Sequence, residues 1–181
     1  RLTIKKVTNP DSTESFAFSG TGNIGTFDLK GGEDDGGTIL PPNADYTVSE
    51  TLSGFQVAEG WYTESISCDD GTEGTPDAAG GEVTVSLEPG DDVKCTFTNT
   101  KRGTVEVEKQ TDPADAPDSF SFFGSLGDFD LTDNGVESSP AKPGQYQVTE
   151  NDAPGWALTG LTCDDPNSST PSIGDPGTRT A

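Results

Sequence analysis

Six sequence blocks occur twice, in the same order, along a chain of 181 residues. LTIKKVTNP, from Leu2 to Pro10, returns as VEVEKQTDP, from Val105 to Pro113. SFAFSG at 15–20 returns as SFSFFG at 119–124, and GTFDL at 25–29 returns as GDFDL at 127–131. YTVSE at 46–50 matches YQVTE at 146–150, GW at 60–61 matches GW at 155–156, and SCDD at 67–70 matches TCDD at 162–165. Such a repeat restricts the chain to one module used twice. The expected modules are 1–101 and 102–181, joined at Lys101-Arg102-Gly103, with shorter loops in the second.

The first copy closes on EVTVSLEPGDDVKCTFTNT, residues 82–100. The second shows no counterpart of that ending and runs from Cys163 through a Pro/Ser/Gly loop to Ala181. Against the first copy as template, roughly 15 to 20 residues are lacking. The second module is therefore expected to be incomplete at its C-terminal strands. It is then frayed, truncated, or completed by a strand from a neighbouring subunit, which would make filaments.

Within the blocks, apolar residues alternate with period two: Leu2 and Ile4, Phe16 and Phe18, Tyr46 and Val48, then Val83, Val85 and Leu87, then Val93, Cys95 and Phe97. No segment shows a sustained helical period. The 23 Gly and 13 Pro lie between these short runs, where they supply turns. Apolar residues make up only 29 %, yet a sandwich needs only alternate residues inside. The fold class expected is all-β, with two tandem Greek-key β-sandwich domains.

A net charge of -22 excludes nucleic acid as a partner and opposes binding to anionic membranes. No apolar run is long enough to insert into a membrane, and no signal peptide is recognisable. The chain starts directly on strand-like residues, which reads as a mature piece of something larger. The absence of His removes the commonest general base and metal ligand. High charge reads first as solubility. The doublets Asp34-Asp35, Asp69-Asp70, Asp91-Asp92 and Asp164-Asp165 are the only candidates for Ca²⁺, and none has EF-hand spacing. No cofactor and no metal site are assigned.

Cys68 and Cys95 fall in the first copy. Paired, they close a loop of about 28 residues, worth roughly 3–4 kcal/mol in the chain-entropy model. Cys163 repeats Cys68 and is left unpaired, its partner mapping to the lacking segment. The alternative is three free thiols in a reducing compartment. A thin-cored, acidic, turn-rich repeat reads instead as secreted or displayed at the cell surface.

Alternation also carries polar residues inward. Leu2 and Ile4 lead to Lys6, and Val105 and Val107 lead to Lys109. Tyr46 and Val48 lead to Glu50, Tyr146 and Val148 lead to Glu150, and Cys95 and Phe97 lead to Asn99. Burying an ammonium and a carboxylate costs several kcal/mol each unless they are paired. A covalent route removes that cost. A desolvated Lys6 loses its proton and attacks the Asn99 amide, while Glu50 polarises the carbonyl and moves protons. The alternative is that Lys6 snorkels to solvent and pairs with Glu50 while Asn99 caps a strand end.

With IKKV around Lys6, YTVSE ending on Glu50 ahead of Trp61, and CTFTNT carrying Asn99, the chain resembles the prealbumin-like, collagen-adhesin B-type (Cna-B-like, SpaA-like) domains of bacterial surface proteins and pilins. The resemblance covers nearly the whole chain, twice. It implies a prealbumin-like sandwich, an extracellular structural role in stalks and fibres, and in many members a Lys–Asn isopeptide bond assisted by the Glu. It carries Lys6, Glu50 and Asn99 over as a triad, with Lys109 and Glu150 as second-module counterparts lacking an Asn. Typical isopeptide members lack a disulfide, and the segment from Thr51 to Gly60 is longer than usual, so this chain departs from the pattern twice.

Three functions follow as expectations. The first is a structural spacer or fibre segment whose partners are neighbouring repeats or subunits. The second is an adhesin-type module binding a host or surface ligand through the loop 31–37, or through Trp61, Tyr62 and Trp156 as exposed aromatics; the alternative for Trp61 and Trp156, which both copies keep, is packing after the YxVxE block. An enzyme acting on an external substrate is not expected, since neither His nor a Ser-based triad is present.

Overall fold

The alternating blocks of the first copy become strands in the computed structural model, which describes residues 1–165 and 170–181. The backbone divides into two units, Arg1–Gly103 and Thr104–Ala181. The first unit runs β1 (Leu2–Asn9), β2 (Phe16–Gly20), β3 (Gly25–Leu29), β4 (Ala44–Thr51), α1 (Gly54–Ala58), β5 (Trp61–Cys68), β6 (Thr75–Asp77), β7 (Gly80–Leu87) and β8 (Val93–Lys101). One sheet has the order β1-β8-β5 and the other β3-β2-β4-β7-β6. Alternate residues of both fill one core, from Leu2, Ile4, Phe16 and Phe18 to Val83, Val85, Cys95 and Phe97. The chain is all-β, with a two-sheet domain in its first hundred residues and a further β region after it.

The first and last strands of this unit are neighbours. β1 pairs with β8 in parallel, Leu2 facing Val93, Lys6 facing Phe97 and Thr8 facing Asn99. β5 then pairs antiparallel with the far side of β8. The other edge of β1 is closed by residues 32–38. Lys6 N–H donates to Glu33 O at 2.8 Å, Asp35 N–H to Ile4 O at 3.0 Å, and Thr38 N–H to Leu2 O at 2.8 Å. The acidic, glycine-rich loop read as a free binding loop is thus an edge cover, which removes a row of open backbone groups.

One element departs from the all-strand expectation. Ser53 caps α1 and shares a capping box with Gln56, whose Nε2 reaches Ser15 O at 3.1 Å. A five-residue helix is too short to show a period.

The second unit runs β9 (Gly103–Glu108), β10 (Phe120–Gly124), β11 (Phe129–Leu131), β12 (Val136–Ala141) and β13 (Val148–Glu150). Its sheets are β11-β10-β13 and β12-β9. Phe120, Phe122, Leu131 and Val148 form its core, with Val107, Phe129 and Trp156 against it. Residues 151–165 form no strand, and Cys163 is exposed and free. The cause is topological. β8 is the central strand of its sheet in the first unit, and both β1 and β5 hang their ladders on it. Among the described residues, β9 has a neighbour on one edge only. The Pro/Ser/Gly loop expected after Cys163 falls partly on 166–169, outside the described residues.

The last residues of the chain take the place of the first residues of β7. Val148 and Ala181 exchange two backbone hydrogen bonds of 2.9 Å, and Glu150 N–H donates to Arg179 O at 3.0 Å. The final residues therefore lie along β13 as β7 lies along β4.

Candidate functional site

Three neighbouring elements bring Lys6, Glu50 and Asn99 together inside the first unit. β1 supplies Lys6, β4 supplies Glu50 from the opposite sheet, and β8 supplies Asn99. Lys6 and Asn99 are 0 % exposed and Glu50 is 3 % exposed. Lys6 Nζ stands 2.7 Å from Glu50 Oε1. Asn99 Nδ2 donates to the same Oε1 at 3.0 Å. The nucleophile and the amide thus meet at one carboxylate oxygen. The other, Oε2, accepts from the buried hydroxyl of Thr63 at 2.7 Å.

This geometry overturns the reading of Lys6 as a snorkelling side chain, because its whole stem and ammonium are enclosed. It also overturns the reading of Asn99 as a strand cap, because Asn99 lies within β8. The reading of Lys6 and Glu50 as an ion pair stands.

The wall around the triad is aromatic. Lys6 Nζ lies 4.5 Å from the centre of the Phe16 ring, and Trp61 meets Phe16 edge-on at 5.6 Å. Burial pushes the Lys6 ammonium down to about 8 from 10.5, with Glu50 acting in the opposite direction. Desolvation outweighs attraction here, so the amine form is within reach near neutral pH. Asn99 Oδ1 is buried with no hydrogen-bond donor. A buried carbonyl oxygen without a donor costs about 1–3 kcal/mol.

Thr63 is the member that strand parity missed. Counting back by twos from Cys68 points Glu64 inward. A register shift between Thr63 and Ser65 reverses this and turns Thr63 in. Counting forward from Trp61 reaches Thr63 directly.

In the second unit Lys109 and Glu150 meet in the same way, Nζ to Oε2 at 2.8 Å, with Lys109 Nζ 4.1 Å from the centre of the Phe120 ring. The free oxygen of Glu150 faces Arg179 Nη1 at 3.4 Å, and Arg179 Nε reaches Asp152 at 2.9 Å. Arg179 was not anticipated, because the terminal residues were read as the end of a loop.

Elsewhere, Cys68 and Cys95 form a disulfide that joins β5 to β8. Trp61 and Tyr62, expected to be exposed in the adhesin reading, are buried, and Trp156 is half-buried against Phe120. The acidic doublets hold loops: Asp35 accepts from Ile4 N–H, Asp69 from Lys94 N–H and Asp91 from Glu88 N–H. Among the described residues, no three Asp, Glu, Cys or His side chains gather to hold a metal ion. No helix among them is long and apolar enough to cross a membrane.

No curated protein and no solved structure matches this chain. A domain of the SpaA prealbumin-like type fits a bacterial surface or pilus-type module. The pattern of the prealbumin-like fold domain matches residues 2–101, more than half of the chain, and with its β1-β8 closure and buried Lys–Glu pair the chain belongs to that family.

Proposed function

We propose that the chain is a structural segment of a bacterial surface or pilus-like protein, and that its first unit closes itself with a bond between Lys6 and Asn99. One observation carries this reading: an amine and an amide, both fully buried, converge on a single oxygen of Glu50 between the first and last strands. Lys6 passes its proton to Glu50 and its Nζ lone pair attacks Asn99 Cγ. Glu50 returns that proton to the leaving Nδ2 as the Cγ–Nδ2 bond breaks, and then takes the second proton that Nζ gives up, which leaves Glu50 neutral. The products are an amide joining Nζ to Cγ, and ammonia. Two buried charges disappear with no external reagent. Nothing in this role requires an external substrate.

The bond ties β1 to β8, and the disulfide ties β8 to β5. All three strands of that sheet then become covalently continuous. A structural segment gains resistance to pulling and proteolysis from such ties. Intact mass after maturation tests the reading. The expected value is about 17 Da below that calculated for the disulfide-bonded chain, the loss of one ammonia, with a Lys6–Asn99 branched peptide after digestion. An unshifted mass, or a shift that survives Lys6→Met, rejects it.

A further inference from the structure

We infer that Thr63 is a positioning residue for the Lys6–Asn99 bond, holding Glu50 so that each proton of the reaction passes through one carboxylate oxygen; the inference rests on the bond proposed above. Oε1 of Glu50 meets both reacting groups, Lys6 Nζ at 2.7 Å and Asn99 Nδ2 at 3.0 Å. Its other oxygen, Oε2, accepts from the Thr63 hydroxyl at 2.7 Å. Both oxygens are thus engaged, and the carboxylate cannot turn about its last bond without losing contacts on both sides. Thr63 and Glu50 are each 3 % exposed, so bulk water does not compete for either place.

An irregularity in β5 is what puts a hydroxyl there. Counted back from Cys68 and Ile66, the inward row of β5 reaches Glu64. A regular ladder would bring that second carboxylate to the Glu50 side of the sheet, where buried like charges repel. The register shift between Thr63 and Ser65 turns Thr63 in instead, opposite Asn99 on β8. Glu64 is left exposed and accepts from the Thr100 hydroxyl. The shift therefore exchanges a carboxylate for a hydroxyl beside the carboxylate that the reaction uses.

A threonine suits this role. Its hydroxyl donates to a carboxylate without adding a charge, and its β-branched side chain is stiff. In the proposed chemistry Glu50 takes a proton from Nζ, gives it to Nδ2, and takes a second from Nζ. Each transfer needs Oε1 within reach of both nitrogens, and the Thr63 contact sets the plane that keeps it there. The second copy supplies the contrast. With Trp156 matched to Trp61, the position of Thr63 holds Leu158, which has no side-chain donor. There the remaining oxygen of the glutamate faces Arg179.

The test follows ammonia loss in time. The full chain, recovered unfolded from inclusion bodies, is refolded with its disulfide and weighed intact at intervals, as wild type, Thr63→Val, Thr63→Ala and Thr63→Ser. Thr63→Val keeps the shape and removes the donor, and Thr63→Ser keeps the donor. Near-ultraviolet circular dichroism reports the folded fraction. Per folded molecule, Thr63→Val should lose ammonia up to about a hundredfold more slowly, Thr63→Ala should slow in step with it, and Thr63→Ser should recover most of the rate. A role in stability alone would lower the folded fraction and leave the rate per folded molecule unchanged. Equal rates in wild type and in the two variants without a hydroxyl overturn the positioning role and leave the bond in place. A Thr63→Ser chain as slow as Thr63→Ala also overturns it, because the hydroxyl is then not the group that acts. A wild-type chain that never loses ammonia overturns the bond itself, and this role with it.

Discussion

Glu50 and Glu150 occupy equivalent places and have different company. Around each, a lysine lies over a phenylalanine, at 4.5 Å in the first unit and 4.1 Å in the second. Each of those rings meets a tryptophan edge-on, at 5.6 Å and 5.4 Å. A stacked phenylalanine pair follows in both, Phe18 with Phe27 and Phe122 with Phe129. The difference lies in the remaining carboxylate contacts. Glu50 receives Asn99 and Thr63, from β8 and β5. Glu150 receives Arg179. Positioning of the Lys–Glu pair therefore needs only the first strand and the β10-type and β13-type strands. The proposed bond needs the last strand, because that strand brings the amide.

The place of Arg179 has a steric explanation. Gly81 faces Glu50 in the first unit, and a Cβ there would lie 2.7 Å from Thr75 O and 2.8 Å from Ile66 Cδ1. Strands β5 and β6 leave no room for a side chain. Residues 151–165 form no such strand, so a long cation fits opposite Glu150 and replaces the missing hydrogen bonds.

The contrast can be broken most forcefully at the two carboxylates. Glu50→Ala leaves a fully buried ammonium unpaired and should cost the first unit about 3–5 kcal/mol, as well as abolishing the ammonia loss. Glu150→Ala should cost the second about 1–3 kcal/mol, because one partner, Lys109, is less enclosed. Urea unfolding followed by one tryptophan at a time, with the other changed to Phe, separates the two. Equal losses would mean that the two sites are enclosed alike.

Next in size is the disulfide. Cys68→Ala with Cys95→Ala opens a loop whose ends are 27 residues apart and should remove about 3 kcal/mol from the first unit alone. The second unit, with its single free thiol, should unfold at the same urea concentration as before, and a parallel shift would show that the two units unfold together.

A further effect, spread over pH, concerns Lys6. In Asn99→Ala the lysine stays a free amine. Its folded value of about 8 lies below the ordinary 10.5, so between those values the unfolded chain holds a proton that the folded chain lacks. Stability should therefore rise as pH increases from about 8 toward 10.5. Adding Lys6→Met should remove this Lys6 contribution to the slope, and a slope unchanged by Lys6→Met would assign it to another group.

Period-two alternation was enough to place Lys6, Glu50, Asn99, Lys109 and Glu150, because a strand buries every second residue whatever its polarity. The same rule fails where the ladder slips, which is why Thr63 went unseen, and ahead of β13, where Tyr146, expected inward, is exposed. It also says nothing about which loops lie along an edge. The glycines and acids of 31–37 read as a free loop, and only the fold reveals that β1 has an open side to cover. Trp61 and Tyr62 read ambiguously for a related reason. An aromatic pair after a turn suits either a binding surface or a core, and the position of β5 beside β8 decides for the core.

The parallel pairing of β1 with β8 has a mechanical consequence. Tension applied to the ends of the first unit enters at Arg1 and leaves at Lys101, at opposite ends of the paired strands. Such a load shears the ladder, so the hydrogen bonds from Leu2 to Asn9 resist together instead of parting one after another like a zipper. With Lys6 joined to Asn99, the force would cross from one strand to the other through a single covalent bond, and the residues between them would carry none of it.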